Sequence, residues 1–371
     1  MKLFFVFFAL LLFGGLGYVL WHVWCVLPFQ KWMKWCIIAV LTLCFATMFL
    51  NFGLTDRMPL GLASWVYDIG WSSIFVLLYL FITFLVLDLG RLVRLVPKAW
   101  LYHNGITAAA VFVLILGLFI YGNIHYNDKY RETLTLTSAK LDGQKRIVMV
   151  SDLHLGYHNR RAELERWIDL INAEKPDLVL IAGDIIDMSI RPLAEEKMAE
   201  AFHRLQAPVY ACLGNHEYFS GSPAAQRFYD EAGIHLLRDT TVVTGDLCIV
   251  GRDDRTNRHR KPLADIMRGA DPSKYTILID HQPYHLEEAE QCGIDFQFSG
   301  HTHYGQVWPI SWITDATYEC AFGQWQRGNT RYYISSGMGI WGGKYRIGTR
   351  SEYLVVELAP SHTLPEGRDS Q

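Results

Sequence analysis

Residues 147–154 read Ile-Val-Met-Val-Ser-Asp-Leu-His, an apolar run that ends in a carboxylate and an imidazole. A short apolar run of this kind predicts a buried strand, with the polar residues at its carboxyl end. Four later apolar runs, at 178–182, 209–213, 275–279 and 296–298, also end directly in polar motifs. Because the carboxyl ends of such strands converge on one rim, we expect the motifs to lie together.

The five motifs supply carboxylate, imidazole and carboxamide side chains, which are the ligands of a two-metal hydrolytic centre. In chain order they are D-x-H at Asp152–His154, G-D at Gly183–Asp184, G-N-H-E at Gly214–Glu217, a single His281, and G-H-x-H at Gly300–His303. Any one of these residues alone fits a capping or hydrogen-bonded structural role better than a metal ligand. All five in succession, each after an apolar run, favour a metal centre.

Their order and separations resemble those of the calcineurin-like metallophosphoesterase family, over about residues 140–358. The resemblance implies two metal ions with Asp184 bridging them. The further ligands it implies are Asp152, His154 and His303 for one metal, and Asn215, His281 and His301 for the other. It also implies that His216 faces the scissile ester without binding metal and that Asp187 orients His216. Tyr304 stands where many relatives have Gly, so we expect it to narrow the mouth of the pocket and to contact substrate.

The implied chemistry is hydrolysis by a hydroxide that the two metals share. Two divalent cations roughly 3.5–4 Å apart activate water, neutralise phosphate oxygens and stabilise in-line attack. His216 would donate a proton to the leaving oxygen. Mixed nitrogen and oxygen ligation suits Mn, Fe, Zn or Co without selecting among them.

The amino-terminal third belongs to a different physical class. The chain is 51% hydrophobic with a mean hydropathy of +0.11, and the apolar excess lies before residue 125. Four stretches are candidates for membrane-spanning helices: Leu3–Leu27, Trp35–Leu54, Trp71–Leu87 and Ile106–Ile120. We therefore expect a transmembrane region at 1–125, a linker at 126–142, the metallophosphoesterase domain at 143–360 and a disordered tail at 361–371.

Basic residues near the span ends predict the orientation of this multi-pass membrane protein. The loops after the first and third spans carry Lys31, Lys34, Arg91, Arg94 and Lys98, whereas the middle loop carries only Arg57. If the basic loops lie inside, the catalytic domain is extracytoplasmic. Lys129 and Arg131, just after the last span, weaken this orientation. The net charge of −3 provides no basic field for nucleic acid.

Between the apolar runs, residues 160–175 carry an apolar stripe at helical spacing, and Gly245-Asp246 marks a hairpin between two further strands. Alternating strands and helices predict an α/β domain. With the strands after residue 240, the fold class is a two-sheet β-sandwich flanked by helices, as the resemblance also implies.

Two segments are candidates for setting specificity. Arg252 and Arg255 lie in the basic stretch 252–261, which suits either a phosphate clamp or a solvated loop. The aromatic stretch Trp308–Trp325 suits an acyl-chain pocket, a membrane interface or the packing of a hairpin.

The expected function is a membrane-anchored two-metal phosphoesterase acting on phosphodiester or pyrophosphate bonds. Its partners would be the lipid bilayer and a phosphate-ester substrate of the lipid-linked or cell-envelope kind. The alternatives are a phosphomonoesterase acting on small or protein-bound phosphates, and a non-catalytic module that binds a phosphorylated ligand through the metals.

Overall fold

The computed structural model describes the backbone of residues 2–361, and the side chains of this range except those of residues 2–9 and 11. The predicted tail therefore lies outside the described residues, apart from Ser361. The chain divides into two compact units: residues 1–124 with 342–345, here the helical unit, and residues 125–341 with 346–371, here the α/β unit.

Four long helices run through the amino-terminal region: α1 (Lys2–Val26), α2 (Lys31–Leu50), α3 (Leu60–Leu92) and α4 (Gly105–Asn127). By length and composition, α2, α3 and α4 can each cross a membrane. In α1, the described apolar part, Leu12–Val26, is shorter. Four spans therefore remain a prediction. Helices α3 and α4 are longer than the spans predicted from sequence, with 33 and 23 residues.

The helical unit packs through small residues and one polar cluster. Gly70 of α3 lies against the backbone of α2, where an added Cβ would be 2.6 Å from the Met48 nitrogen. Such close approach is typical of membrane helices. Asp88 accepts a hydrogen bond from the Tyr18 hydroxyl (2.8 Å), and its carboxylate lies 2.9 Å from His22 Nε2. These contacts join α1 to α3.

The described part of the α/β unit contains twelve strands. They are β1 (Lys129–Ser138), β2 (Lys145–Val150), β3 (Leu178–Ala182), β4 (Val209–Cys212), β5 (His235–Leu236), β6 (Thr240–Thr244), β7 (Leu247–Gly251), β8 (Tyr275–Ile279), β9 (Phe296–Ser299), β10 (Gly323–Arg327), β11 (Thr330–Ile334) and β12 (Ser351–Pro360).

Eight helices accompany these strands. They are α5 (Arg161–Ala173), α6 (Arg191–Glu195), α7 (Met198–Phe202), α8 (Asn215–Phe219), α9 (Ser222–Glu231), α10 (Leu263–Met267), α11 (Glu287–Gln291) and α12 (Ile310–Thr317).

The strands form two six-stranded mixed sheets. The first sheet has the order β1-β12-β2-β3-β4-β5, and the second has the order β10-β11-β9-β8-β7-β6. Alternation along β2 shows how the layers pack: Ile147 and Met149 join the core between the sheets, whereas Val148 and Val150 pack with Trp167 of α5. The predicted two-sheet sandwich with flanking helices is confirmed.

The segment expected to be a linker, residues 126–142, contains strand β1 in the structure. This strand pairs in parallel with β12, from Lys129 opposite Ser351 to Ser138 opposite Pro360. Leu134 and Leu136 are buried whereas Thr133, Thr135 and Thr137 are exposed, as in an edge strand with one covered face. The predicted hairpin around Gly245-Asp246 is confirmed by the antiparallel pairing of β6 with β7.

Candidate metal centre

The ends of five strands bring the predicted motif residues to one rim. The segment after β2 runs beside the segment after β3, with the His154 amide donating to the Asp184 carbonyl (2.9 Å). At the second sheet, the Gly300 amide after β9 donates to the His281 carbonyl after β8 (2.9 Å). Left-handed backbone conformations occur at the rim, with φ of 56° at Asp152 and 52° at Asp184. Asp and His tolerate this conformation better than most residues, and it turns their side chains into the rim.

One group of side chains consists of Asp152, His154 and His303. The Nε2 atoms of His154 and His303 lie 3.1 Å apart. Asp152 Oδ1 is 3.4 Å from His303 Nε2 and 3.8 Å from His154 Nε2. All three residues are buried. Their ligand atoms lie close enough to hold one ion.

A second group consists of Asp184, His281 and His301, again with ligand atoms close enough to hold one ion. His281 Nε2 is 3.1 Å from Asp184 Oδ2 and 3.2 Å from Asn215 Oδ1. The other ring nitrogen of His281 is 2.8 Å from the Ala182 carbonyl, to which it would donate. That bond leaves Nε2 free to act as a ligand.

Asp184 lies between the two groups. Its Oδ2 atom is 3.1 Å from His281 Nε2 and 3.6 Å from His154 Nε2. Its Oδ1 atom accepts the His216 amide hydrogen (2.9 Å). Asp184 could therefore offer a carboxylate oxygen to an ion in either group.

The donor set fits divalent cations. Two imidazole nitrogens facing each other at 3.1 Å, with buried carboxylates beside them, are unfavourable neighbours unless protons or cations lie between them. Nitrogen and oxygen donors together suit Mn, Fe, Zn or Co.

His216 and His154 share one orienting carboxylate. Asp187 Oδ1 lies 3.2 Å from His154 Nδ1 and 3.2 Å from His216 Nδ1. The side chain of His216 is 13% exposed, in contrast to the fully buried His154. Asp187 was predicted to orient only His216, but the structure places it against one candidate metal ligand as well.

Glu217, the last residue of the G-N-H-E motif, received no role from the sequence. Its buried carboxylate accepts three backbone hydrogen bonds, from the amides of Asp184 (3.1 Å), Ile186 (3.0 Å) and Gly214 (2.7 Å). It therefore ties the segment after β3 to the segment after β4. The positions of Asp184 and Asn215 both depend on this carboxylate.

Gly214 permits the close approach of these two segments. A Cβ at this position would lie 2.1 Å from Asp184 Oδ1, a distance that no side chain can adopt. The glycine in the motif is therefore a packing requirement of the bridging carboxylate.

Arg346 is a second residue that sequence reasoning missed. It is fully buried, and its guanidinium donates to the His303 carbonyl (2.7 Å) and to the Gly339 carbonyl (3.1 Å). A further bond joins its Nε to the Ser351 hydroxyl (3.1 Å). Arg346 therefore holds the backbone of one candidate ligand against the glycine-rich turn that begins at Gly337.

Charge and burial set the protonation states at the rim. Burial opposes charge on Asp187, but His154 and His216 outweigh it and hold the pKa of the Asp187 carboxyl well below its usual range. Burial lowers the pKa of His154, and contact with Asp152 and Asp187 more than reverses this, raising it to about 10. Burial, reinforced by His281, lowers the pKa of His301 to about 4. Ionised carboxylates and neutral imidazoles are the forms that bind cations, so His301 is ready to bind one, whereas a cation bound at His154 would displace the His154 proton.

The predicted substrate contacts have different surroundings. Arg252 is buried and pairs with Asp280 (3.3 Å) and Glu288 (2.6 Å). The Arg255 guanidinium lies 4.0 Å from the centre of the Tyr284 ring. Tyr284 in turn contacts Tyr318, whose ring centre is 6.3 Å from that of His301. Arg255 is thus connected to the rim through two aromatic rings, whereas Arg252 is engaged in ion pairs.

The Tyr304 side chain packs against neighbouring side chains. Its ring stacks on Phe322 with centres 4.9 Å apart, and its hydroxyl donates to Asp315 of α12 (3.3 Å). Substrate contacts by Tyr304, Arg252 and Arg255 stay predictions.

Comparisons with known proteins agree with this arrangement. The family model of calcineurin-like phosphoesterases matches residues 145–305. An uncharacterized metallophosphoesterase of Campylobacter jejuni is 30% identical over 257 residues, which are 66% of this chain and 68% of that protein. One from Helicobacter pylori is 30% identical over 229 residues, or 60% of this chain and 62% of its own length. A Bos taurus transmembrane protein with a metallophosphoesterase domain is 28% identical over 242 residues, 58% of this chain and 53% of that protein.

The fold is an α/β fold with two mixed sheets, and His and Asp groups that could hold metal ions converge on one rim of it. The chain belongs to the calcineurin-like phosphoesterase family. Its match spans 62% of the length of the Helicobacter pylori relative.

Proposed function

We propose that this protein is a membrane-anchored phosphoesterase that binds two divalent metal ions and hydrolyses phosphodiester or pyrophosphate bonds. The observation that carries the proposal is the position of Asp184 between two groups of candidate ligands, with His216 beside it. A family member that had lost its chemistry would not need to keep both groups and the partly exposed His216.

Asp152, His154 and His303 would hold one metal, and Asn215, His281 and His301 the other, with Asp184 shared. Two bound cations would supply an activated water and neutralise charge on the phosphate oxygens. The protein's part is to fix these donors through contacts that exist without substrate. Glu217 fixes the backbone at Asp184, and Arg346 fixes the carbonyl of His303.

His216 would serve the leaving group. With Nδ1 beside the Asp187 carboxylate, its other ring nitrogen is available to donate a proton to the leaving oxygen. Asp187 stays ionised because His154 and His216 lower its pKa.

The candidate spans favour a substrate at the membrane, either lipid-linked or from the cell envelope. An active site tethered to a bilayer meets lipid-borne substrate at a raised effective concentration. We further propose that the α/β unit is extracytoplasmic, from the basic loops after the first and third predicted spans. Protease digestion of right-side-out and inverted membrane vesicles tests this. Cleavage of the unit only in right-side-out vesicles is expected, and cleavage only in inverted vesicles would reverse the orientation.

The test of the function compares aryl phosphate monoesters and diesters. Full-length protein in detergent is stripped of metal, and Mn²⁺ is then added back to wild type, His216→Ala and His203→Ala. His203 is an exposed histidine that contacts the Glu231 carbonyl, so it serves as the matched control. We expect diester hydrolysis that depends on Mn²⁺, falls about 10²–10⁴-fold in His216→Ala, and is unchanged in His203→Ala.

Other outcomes separate the alternatives. Monoester hydrolysis without diester hydrolysis would favour the phosphomonoesterase. Bound metal without turnover on either ester, or on lipid phosphodiesters and diphosphates in mixed micelles, would favour the non-catalytic binding module.

A further inference from the structure

We propose that the outward face of α12 lies in the surface of the lipid bilayer and places the metal centre at the level of the lipid headgroups. This inference deepens the proposed function, on which it rests, by naming a membrane-contacting surface of the α/β unit. The α12 face consists of Trp312 and Ile313 of the helix, with Trp308 just before it.

Helix α12 exposes large apolar residues and buries a polar one, which is the opposite of a surface helix on a soluble protein. Its buried residue is Ser311, which is only 6% exposed, whereas Trp312 and Ile313 are 64% and 65% exposed. Trp308 is 40% exposed and meets Trp312 edge to face, with ring centres 5.3 Å apart. A soluble helix normally buries its large apolar residues, at about 25 cal/mol per Å² of apolar area removed from water. An apolar face directed outward therefore indicates a surface with a partner.

The α12 face is fixed relative to the metal centre. A Cβ at Gly305 would lie 2.4 Å from the Ser311 nitrogen, so α12 begins in direct contact with the turn that contains His303. The Thr302 hydroxyl donates to the Ala321 carbonyl (2.7 Å), which holds the segment after α12 on the same turn. Whatever covers Trp312 and Ile313 is therefore held at a set distance from His303.

The chain itself identifies the bilayer as the partner. Helix α4 has the length and composition of a membrane span and ends at Asn127, and β1 begins at Lys129. Only Asp128 separates them, so a candidate span leads into the α/β unit with almost no linker. The α/β unit is thus tethered to a candidate span by a single residue, and Trp is the residue most typical of the membrane–water interface.

The chemistry of the α12 face specifies how it would bind. The charged residue of helix α12, Asp315, accepts a hydrogen bond from the Tyr304 hydroxyl, and no basic residue lies within Ile310–Thr317. Contact would therefore come from apolar insertion and not from attraction to anionic headgroups. Zwitterionic lipid should suffice, and salt should have little effect.

Photocrosslinking in membranes tests the proposal. Full-length protein carries photoreactive p-benzoylphenylalanine in place of Trp312 or, as the matched control, in place of Val243. Val243 lies on β6 and is 54% exposed, so it samples an open apolar position on another part of the α/β unit. Each protein is reconstituted into phosphatidylcholine vesicles, with and without phosphatidylglycerol, and irradiated at low and high salt.

We expect lipid adducts at position 312 and none above background at position 243, with equal yields in both lipid mixtures and at both salt concentrations. Equal adducts at the two positions, or no lipid adduct at position 312, would overturn the proposal. Crosslinked dimers at position 312 without lipid adducts would also overturn it, and would assign the α12 face to a second copy of the chain. The adducts are scored independently of ester hydrolysis, so a failure here is distinguishable from a failure of the proposed function.

Discussion

The two sheets contribute unlike halves to the metal centre. The first sheet supplies both carboxylates of the ligand set, Asp152 and Asp184, together with His154 and Asn215. The second sheet supplies imidazoles: His281, His301 and His303. The first half would therefore carry the negative charge that offsets bound cations, whereas the second half would complete the coordination with neutral imidazoles. Loss of a residue from the first half should cost more than loss from the second.

The halves are also supported differently. In the first half, buried carboxylates do the positioning, with Glu217 on three backbone amides and Asp187 on His154. In the second half, positioning comes from the Ala182 carbonyl, which accepts from His281, and from Arg346, which donates to the His303 carbonyl. The first half is thus held by the carboxylates of Glu217 and Asp187, and the second by the Arg346 cation and the Ala182 carbonyl. Because the supporting residues differ, a mutation can weaken one half and leave the other intact.

The largest expected effect is from Asp184→Ala compared with His301→Ala. Because Asp184 lies between the two groups, its loss should remove both metals and abolish turnover, whereas loss of His301 should weaken one metal site. Metal content per protein, measured by mass spectrometry after gel filtration, checks this. Replacement of a carboxylate elsewhere by a neutral amide, in Asp246→Asn, serves as the control and should leave both metals bound. Retention of two metals by Asp184→Ala would refute the bridging role.

The next largest effect is expected from Glu217→Gln. The amide keeps the size but can accept fewer of the three backbone hydrogen bonds, so the segment at Asp184 loosens. We expect metal affinity or turnover to fall about 10–100-fold, as for other residues that orient ligands. Titration of apo protein with Mn²⁺, together with aryl diester kinetics, measures both quantities. Affinity and turnover equal to those of wild type would show that Glu217 does not position the ligand.

A smaller effect on metal binding, but a clear one on folding, is expected from Arg346→Lys. Lysine keeps a cation but lacks the planar fork that reaches several carbonyls and Ser351. Buried carbonyls left without donors cost about 1–3 kcal/mol each, so the thermal midpoint should fall. Burial lowers the pKa of Arg346 to about 10, so the guanidinium stays charged at neutral pH.

Thermal denaturation with and without Mn²⁺ is the measurement for Arg346→Lys. Added metal should recover part of the lost stability, because metal binds only the folded form. A midpoint unchanged from that of wild type would contradict the positioning role.

The smallest effect is expected from Asp246→Asn, which lies outside both halves. Burial opposes ionisation of Asp246, but Lys145 at 2.6 Å and the Asp142 amide outweigh it and lower its pKa. A carboxyl with a lowered folded pKa stabilises the protein above its unfolded pKa of about 4, and this stability is lost as pH falls through the folded value. The variant should lose about 1 kcal/mol at pH 7 and match wild type in strong acid. An equal loss at both pH values would contradict the ion pair.

The convergence of the motif residues on one rim could be predicted from sequence because the pattern that indicates it is local. Each apolar run is a strand, and each motif follows its strand directly, so one principle of sheet geometry places the residues together. Left-handed φ values at Asp152 and Asp184 fall on residue types that tolerate them. The signal for Glu217 was also present, since it follows Asn215 within the same motif, but its reach to the Asp184 amide is a long-range contact.

What sequence reasoning missed depends on partners far away in the chain. Strand β1 has the alternating Thr and Leu residues of a strand, but its pairing partner β12 lies more than 200 residues later, so no local signal places the segment in the sheet. The positioning role of Arg346 depends on the fold around Gly337. Likewise, Arg252 pairs with Asp280 and Glu288, which no local pattern connects to it.

The central claim is that one rim holds two metals through a shared Asp184. Anomalous X-ray scattering from crystals of the Mn²⁺-loaded protein tests it most directly. We predict two anomalous peaks about 3.5–4 Å apart. One should be bound by Asp152, His154 and His303, the other by Asn215, His281 and His301, and both by Asp184. A single peak, or two peaks without Asp184 between them, would contradict the account.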